Sequence, residues 1–462
     1  MNIQEAKEEI IHTLHAYFAK KEDGSYAVAQ IRQRPLLLIG APGIGKTQIM
    51  RQIEEEEGVG LVSYTMTHHT RQSAIGLPLI EHRNYGGQDY SVTEYTMSEI
   101  IASVYDEMER SGRREGILFL DEINCVSETL APTMLQFLQA KTFGNHRLPD
   151  GWLIVAAGNP PEYNKSVREF DIVTMDRIRK IEVQADLDVW KRYARRKLVH
   201  PSILAYLNIK PQYFCRIETT IDGRFFATPR GWEDLSELLD IYEKQNISVT
   251  RDIVAEYIQF PEIAKDFANY LELYYKYEAR YRVDDILAGT IDEALCVRLE
   301  KAPFDETYSV IQLLLSRIAA DCKELERTAK EAEAARAAYL EAKEKDGAEA
   351  AGGAAAGQSL EGVRLSVDPE VLRAAYNALA TRYQDLFDRT GDKLEHAFDF
   401  MEAAFGTGDQ MIVFMTELNY NDYLIRFLKE YDCARYYQYN KQLQFDVQAD
   451  RLKEKAAAML QS

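Results

Sequence analysis

The fold is decided by the stretch Gly40-Ala41-Pro42-Gly43-Ile44-Gly45-Lys46-Thr47, which has the form G-x-x-x-x-G-K-[ST] of a phosphate-binding loop. The apolar run 35–39 before the loop predicts a short buried strand, and residues 47–53 after it can open a helix. This order of strand, glycine-rich loop and helix is the context that the motif requires. The sequence therefore predicts a binding site for a nucleoside triphosphate.

Each residue type in the loop has a chemical reason to be there. Glycines allow backbone N–H groups to close around phosphate oxygens, and the helix N-terminus adds a partial positive charge. Lys46 can reach the β- and γ-phosphates, and the Thr47 hydroxyl can ligate Mg²⁺. The predicted nucleotide-binding residues are Gly40, Pro42, Gly43, Ile44, Gly45, Lys46, Thr47 and Gln48.

Length and composition limit the class of protein. The 462 residues allow two to four domains, and 46% hydrophobic with 28% charged residues is ordinary for a globular protein. The net charge of −19 argues against a general polyanion binder, which needs clustered Lys and Arg. Five scattered cysteines, no apolar run of membrane-spanning length and no signal-peptide pattern predict a cytoplasmic protein.

Changes of pattern along the chain predict five segments. Strands alternate with helices only in residues 35–185, and this is the pattern of a parallel sheet flanked by helices. A linker rich in Gly and Ala, 346–359, is expected to be flexible and to separate two long helices of coiled-coil-like spacing. The predicted segments are an N-terminal helix and linker (1–34), an α/β core (35–185), an all-α lid (186–300), a long helical hairpin (305–397) and a C-terminal helical cap (398–462).

Two further apolar strands of the core end in polar side chains. The first, 116–122, ends in Asp121 and Glu122. Asp121 fits the role of a Mg²⁺ ligand, and Glu122 fits that of orienting or deprotonating the attacking water. The second, 153–159, ends at Asn159, which is followed by two prolines. Asp121 and Glu122 are the kinds of group that a bound nucleotide needs for hydrolysis.

A strand that ends in Asn-Pro after a strand that ends in two acids resembles sensor 1 of the AAA+ ATPases. In that family the sensor strand lies between the two Walker strands, so the resemblance implies that Asn159 helps to position the hydrolytic water. The segment 227–233 resembles the start of the sensor 2 helix in the lid of MoxR-like AAA+ proteins. That likeness implies that Arg230 contacts the γ-phosphate of its own subunit.

The segment 171–178 resembles the element that carries the arginine finger in MoxR-like proteins, just before the fifth strand. The resemblance implies that Arg177 enters the site of the neighbouring subunit, where its fixed charge would stabilise the charge developing on the γ-phosphoryl. Arg168 and Arg179 are nearby alternatives for this role, and Arg177 is preferred.

Two predicted β-hairpins lengthen the core. The first, 76–97, would interrupt the second helix, and the second, 141–152, precedes the sensor strand. A hairpin inserted in the second helix is typical of the helix-2-insert clade, which contains MoxR-like proteins of the dynein-related AAA subfamily. The resemblance implies that both hairpins face the central pore of a ring.

The resemblance as a whole implies a MoxR-like AAA+ ATPase that uses ATP and Mg²⁺. It implies a ring, expected to be a hexamer, that remodels a protein client in a chaperone-like manner together with a von Willebrand A domain protein. Lys46, Glu122, Asn159 and Arg177 would be catalytic, and Thr47 and Asp121 would hold the metal. Two alternatives stay open: a nucleic-acid-stimulated motor of helicase-like or restriction type, and a nucleotide-gated scaffold.

Overall fold

The structure is a computed structural model that describes residues 1–68, 71–163, 167, 170–220, 223–351 and 369–442. Within these ranges, no helix combines the length and the apolar character needed to cross a membrane. The strands are β1 (Leu36–Gly40), β2 (Gly60–Thr65), β3 (Pro78–Tyr85), β4 (Gln88–Tyr95), β5 (Gly116–Asp121), β6 (Thr142–Phe143), β7 (His146–Arg147), β8 (Trp152–Gly158), β9 (Arg179–Val183), β10 (Arg216–Thr220) and β11 (Gly223–Ala227). The helices are α1 (Ile3–Phe18), α2 (Lys46–Glu57), α3 (Arg71–Ile75), α4 (Glu99–Ser111), α5 (Ala131–Ala140), α6 (Ile172–Met175), α7 (Leu187–Lys197), α8 (Pro201–Ile209), α9 (Pro229–Lys244), α10 (Arg251–Tyr257), α11 (Pro261–Tyr281), α12 (Val283–Leu287), α13 (Glu293–Glu300), α14 (Phe304–Ala351), α15 (Pro369–Phe405), α16 (Asp409–Asn419) and α17 (Asp422–Glu430).

The chain divides into two compact units that interleave along the sequence. The first unit contains Met1–Trp190, Gln212–Leu235 and Ala255–Ile263, and the second contains Lys191–Pro211, Ser236–Val254 and the chain from Ala264 onward. The segment predicted as a lid, 186–300, is therefore shared between the two units.

A parallel five-stranded sheet with the order β2-β5-β8-β1-β9 forms the centre of the first unit. Side chains of successive strand residues point to opposite faces, so each face receives its own apolar layer. Leu37, Leu118 and Ile154 lie in one buried cluster, whereas Leu36 and Phe119 lie in the other. This is the predicted α/β fold, with β8 between β1, which precedes the phosphate-binding loop, and β5, which ends at Asp121.

Helix α1 packs on the sheet of the first unit. Its buried residues Ala6, Ile10 and Leu14 join the same apolar cluster as β1 and α2. Asn2 and Glu5 close its N-terminus with a reciprocal capping box. The predicted N-terminal helix is thus part of the apolar core of this unit.

Both predicted hairpins are present in the first unit. Strands β3 and β4 pair in antiparallel register between α3 and α4, so this hairpin interrupts a helical region. Strands β6 and β7 form the shorter hairpin just before β8. Apolar side chains on the first hairpin are exposed, among them Leu79 (51%) and Ile80 (68%).

The prediction that the lid is all-α is wrong at residues 216–220 and 223–227, which form a β-hairpin. Strands β10 and β11 pair in antiparallel register from Arg216 opposite Ala227 to Thr220 opposite Gly223. Both strands contain β-branched or aromatic residues, which are common in strands, but neither alternates them regularly with polar residues. With only five residues in each strand and no period of two, the hairpin does not stand out from the surrounding helical patterns.

The second unit is helical over its described residues. Helices α14 and α15 run antiparallel. Asp321 pairs with Lys393 (2.5 Å), and Glu324, further along α14, pairs with Arg382, which lies earlier in α15 (2.6 Å). Helix α14 continues through Ala351 and so replaces the first part of the predicted flexible linker 346–359, while residues 352–368 lie outside the described ranges. The predicted cap begins inside α15 and continues with α16 and α17, and residues 443–462 also lie outside the described ranges.

Candidate active site

The phosphate-binding loop joins the end of β1 to the start of α2, as the sequence predicts. Gly45 precedes the helix with a φ of +94°, a left-handed backbone that favours glycine. Ile44 is buried, whereas Pro42 and Gln48 are half-buried. Among the described residues no side chain caps this end of α2, so its first N–H groups are available to phosphate oxygens.

Lys46 is buried at the start of α2, with 8% of its surface exposed. Its Nζ donates hydrogen bonds to the carbonyl oxygens of Gly40 and Ala41, both at 2.8 Å, and to Oδ1 of Asn159 at 3.1 Å. A buried ammonium group needs such partners because removal from water is costly. Lys46 is therefore held over the loop by acceptors that occupy all three of its donors.

The surroundings of Lys46 make its charge sensitive to pH. Burial lowers the pKa of Lys46 to about 8; the Asp121 carboxylate opposes this shift, and the positive charge of Arg230 adds to it. An anion placed beside the ammonium group would stabilise the charged form and raise this pKa. Protonation of Lys46 therefore favours the binding of phosphate, and bound phosphate favours the protonated form of Lys46.

Thr47 and Asp121 bring two oxygen atoms together at the ends of neighbouring elements. The Thr47 hydroxyl donates to Oδ2 of Asp121 at 2.7 Å. A hydroxyl and a carboxylate are hard oxygen donors, and Mg²⁺ is commonly held by one or two such groups together with phosphate oxygens. This pair fits the metal role that the sequence predicts for it.

Glu122 follows β5 with a φ of +56°, which is uncommon for a residue other than glycine. Its backbone N–H donates to Oδ1 of Asp121 at 2.9 Å, and its Oε2 accepts a hydrogen bond from the Thr67 hydroxyl at 2.8 Å. Left-handed backbone at a non-glycine residue costs about 1–2 kcal/mol and persists where the surrounding contacts hold it. Glu122 is therefore fixed beside the proposed metal ligand by the fold.

Asn159 directly follows β8, the strand between β5 and β1. Since the carboxyl ends of parallel strands meet at one edge of a sheet, Asn159 lies with the loop after β1 and the two acids after β5. Its bond to Lys46 joins the predicted sensor to the phosphate loop.

Arg230 approaches the phosphate loop from the start of α9, within the first unit. A Cβ built on Gly43 would lie 3.1 Å from Cβ of Arg230 and 3.2 Å from Oγ1 of Thr228. The close approach depends on the missing side chain at Gly43. Thr228 accepts from the N–H of Gly231 at 3.2 Å, so it caps the helix as predicted. Arg230 itself is exposed beside the loop.

Of the three arginines considered for the finger, two lie within the described residues. Arg177 is exposed and donates to Oε1 of Gln139 on α5. Arg179 pairs with Glu9 on α1 and donates to the Thr13 hydroxyl at 2.8 Å. Arg168 lies outside the described residues. The structure thus ties Arg179 to its own subunit and leaves Arg177 exposed.

Two residues of the site were not singled out from the sequence. Thr67 follows β2 and binds Glu122, while Asn124 follows β5 by three residues and donates from Nδ2 to the carbonyl oxygen of Asn159 at 2.7 Å. The position of Asn124 in the run Asp-Glu-Ile-Asn was the only local signal for it, and Thr67 had none beyond its place after a strand.

A family model described as AAA domain (dynein-related subfamily) matches residues 35–178. No curated protein is significantly similar to the chain. The matched segment contains four of the five strands of the parallel sheet, β1, β2, β5 and β8, and ends just before β9. It also contains the loop, the two acids and Asn159. The family match and the strand order together support an AAA+ ATPase domain, with nucleotide binding, in this part of the chain.

Proposed function

We propose that the chain is a MoxR-like AAA+ ATPase, which forms a hexameric ring and couples ATP hydrolysis to the remodelling of a protein partner. The proposal is carried by one observation. Lys46 bonds to Asn159, and Thr47 bonds to Asp121 directly beside Glu122, so the groups for phosphate binding, metal binding and water activation lie at one edge of the sheet.

Each of these residues has a distinct task in the proposed reaction. Lys46 exchanges the carbonyl oxygens of Gly40 and Ala41 for phosphate oxygens and keeps the terminal phosphate in place. Thr47 and Asp121 would hold Mg²⁺, which neutralises charge on the phosphates when bound. Glu122 accepts the proton of the attacking water, and Asn159 orients that water.

The exposure of Arg177 supports a site that is completed by a second subunit. Its side chain bonds to Gln139 on α5. It is not among the hydrogen-bond partners of Lys46, which are Gly40, Ala41 and Asn159. An arginine supplied to the γ-phosphoryl from a neighbouring subunit is worth roughly 10³–10⁵ in rate. We assign this role to Arg177 rather than to Arg179, which is paired with Glu9.

Two inactive variants test both the chemistry and the assembly. Glu122→Gln should bind ATP without turnover, and Arg177→Ala should bind ATP and assemble without turnover. When the two variants are mixed, activity should return, because an intact site in one chain meets an intact arginine in its neighbour. Random mixing at equal amounts gives about one quarter of wild-type turnover, since half of the sites and half of the arginines are functional.

Arg179→Ala is the matched control for this mixing experiment and should retain turnover alone. Wild-type turnover in Glu122→Gln would refute the catalytic assignment. Failure of the mixture to regain activity, with assembly confirmed by light scattering, would refute the arginine in trans.

The exposed apolar side chains of the β3–β4 hairpin support contact with a protein client. Leu79, Ile80 and Tyr90 are each about half exposed or more. Capture of bound proteins with Glu122→Gln and ATP should yield the client and a von Willebrand A domain partner. Strong stimulation of turnover by DNA or RNA would instead favour a nucleic-acid motor, and nucleotide-dependent partner binding with negligible turnover would favour a scaffold.

A further inference from the structure

We infer that Asn124 is a positioning residue for the hydrolytic step, because it sets the distance between the loop that carries Glu122 and the end of strand β8 that carries Asn159. This inference rests on the proposed ATPase function. Asn124 lies in the 3-10 turn Ile123–Cys125, directly after Glu122, and is 5% exposed. Its side chain bonds to the backbone of Asn159 and therefore acts through that residue.

A hydrogen bond and a steric contact define this distance together. Nδ2 of Asn124 donates to the carbonyl oxygen of Asn159 at 2.7 Å. A Cβ built on Gly158 would lie 2.4 Å from Oδ1 and 2.7 Å from Cγ of the same amide. The amide group therefore packs directly on the backbone of Gly158, where only glycine leaves room. The hydrogen bond to Asn159 keeps the two segments from moving apart, and the contact with Gly158 keeps them from moving closer. The distance between the loop after β5 and the end of β8 is therefore closely defined.

This spacing matters because both segments end in groups of the proposed reaction. Oδ1 of Asn159 accepts a hydrogen bond from Nζ of Lys46 at 3.1 Å, which fixes the position of Asn159 relative to the phosphate loop. Glu122 stands two residues before Asn124 with a left-handed backbone and binds Thr67 through its carboxylate. Asn124 thus links the residue that activates water to the residue that contacts the lysine of the phosphate loop.

An alternative is that Asn124 only satisfies a buried carbonyl group and contributes to stability. A purely structural role predicts that loss of this hydrogen bond lowers the melting temperature and leaves the turnover number unchanged. A positioning role predicts a different pattern, because an error of about 1 Å in the reacting groups can cost roughly a hundredfold in rate. The turnover number of the folded variant then falls, while the affinity for ATP changes little, whatever the loss in melting temperature.

Two substitutions at position 124 separate these roles. Asn124→Leu keeps the approximate shape of the side chain and removes the donor, and Asn124→Ala removes both donor and packing. We expect both to reduce kcat between about tenfold and a hundredfold, with the dissociation constant of ATP within about threefold of the wild-type value. A folded Asn124→Leu variant with wild-type kcat would overturn the inference.

Gly158→Ala approaches the same contact from the strand. Its methyl group must displace the amide of Asn124, so we expect a similar loss of kcat. The double variant Asn124→Ala/Gly158→Ala should lose no more than the worse single variant, because both changes break one contact. Losses that multiply in the double variant would overturn the inference, even if Asn124→Leu were to fold poorly.

The wild-type protein and Glu122→Gln are measured beside these variants in single-turnover assays. Absence of turnover in the wild-type protein would overturn the proposed function and with it this inference. Turnover in the wild-type protein that is lost in Glu122→Gln but unchanged in the variants of Asn124 and Gly158 would overturn this inference alone.

Discussion

Raising the pH from 7 to 9 is expected to weaken the binding of ATP, because it removes the proton from Lys46 in the free protein. Burial lowers the pKa of Lys46 to about 8, and phosphate oxygens beside Nζ favour the charged form. Below pH 8 the ammonium group is already present when ATP arrives. Above pH 8 the lysine must take up a proton as ATP binds, so affinity falls as the pH rises through this pKa.

The magnitude follows from the fraction of Lys46 that carries a proton. With a pKa of about 8 this fraction falls from about nine tenths at pH 7 to about one tenth at pH 9. The apparent affinity therefore falls about tenfold, or ~1.4 kcal/mol. The phosphates add no titration of their own at the upper end of this range, because the second pKa of a phosphate monoester is about 6.

Isothermal titration calorimetry in the Glu122→Gln background measures both quantities without turnover. Two buffers of different ionisation enthalpy should reveal an uptake of about 0.9 proton at pH 9. Lys46→Arg is the control, since a guanidinium group keeps its charge throughout this range. An affinity that is the same at pH 7 and pH 9, or an equal fall in Lys46→Arg, would refute the reasoning.

In the unliganded protein, the free energy of unfolding should rise as the pH is raised, whereas the affinity for ATP falls. An unfolded lysine has a pKa of about 10.4, so between pH 8 and 10 the unfolded chain binds more protons and the free energy of unfolding rises with pH. Burial also lowers the pKa of Lys141 to about 8, so this lysine contributes to the rise in stability as well. Lys141→Met should remove part of that rise and leave the pH dependence of ATP binding unchanged.

Three further substitutions test the loop, the first unit and the second unit. Gly43→Ala should lower the free energy of unfolding by ~1–2 kcal/mol and weaken nucleotide binding, because it places a methyl group on left-handed backbone in a tight contact; wild-type affinity in a titration would contradict this. Arg179→Ala should cost at most ~1 kcal/mol in thermal unfolding, because its pair with Glu9 is partly exposed; a larger loss would mean that the pair is more than a surface contact. Glu417→Ala should cost ~3–5 kcal/mol in urea unfolding, because it leaves Arg195 buried without its carboxylate partner. Arg195→Met combined with a Glu417→Leu change should recover most of that loss, and an equally unstable double variant would contradict the desolvation argument.

The parts of the site that the sequence predicts are those whose signal is local. A glycine-rich loop between a strand and a helix, or a strand that ends in two acids, is visible within ten residues. The meeting of Thr47 with Asp121 and of Lys46 with Asn159 then follows from the common edge of a parallel sheet. For this reason the sequence is enough to predict the fold class and the nucleotide-binding core.

The contacts that the sequence does not predict depend on distant partners. Arg179 pairs with Glu9, which lies 170 positions before it in the chain. The place of Asn124, in the turn after β5, depends on the missing side chain of Gly158 at the end of β8. Neither relation leaves a periodic or composition signal in one sequence, so only the folded geometry reveals it.

The balance of charge around the phosphates gives a physical reason for a site shared between subunits. ATP carries about four negative charges, and Lys46, Arg230 and a bound Mg²⁺ would supply about as many positive ones. The carboxylates of Asp121 and Glu122 offset two of these, so a single chain has a deficit of positive charge. The deficit is felt most in the transition state, where charge develops on the transferring group. On the proposed function, Arg177 of a neighbour supplies the missing charge, so hydrolysis depends on protein concentration more steeply than ATP binding does.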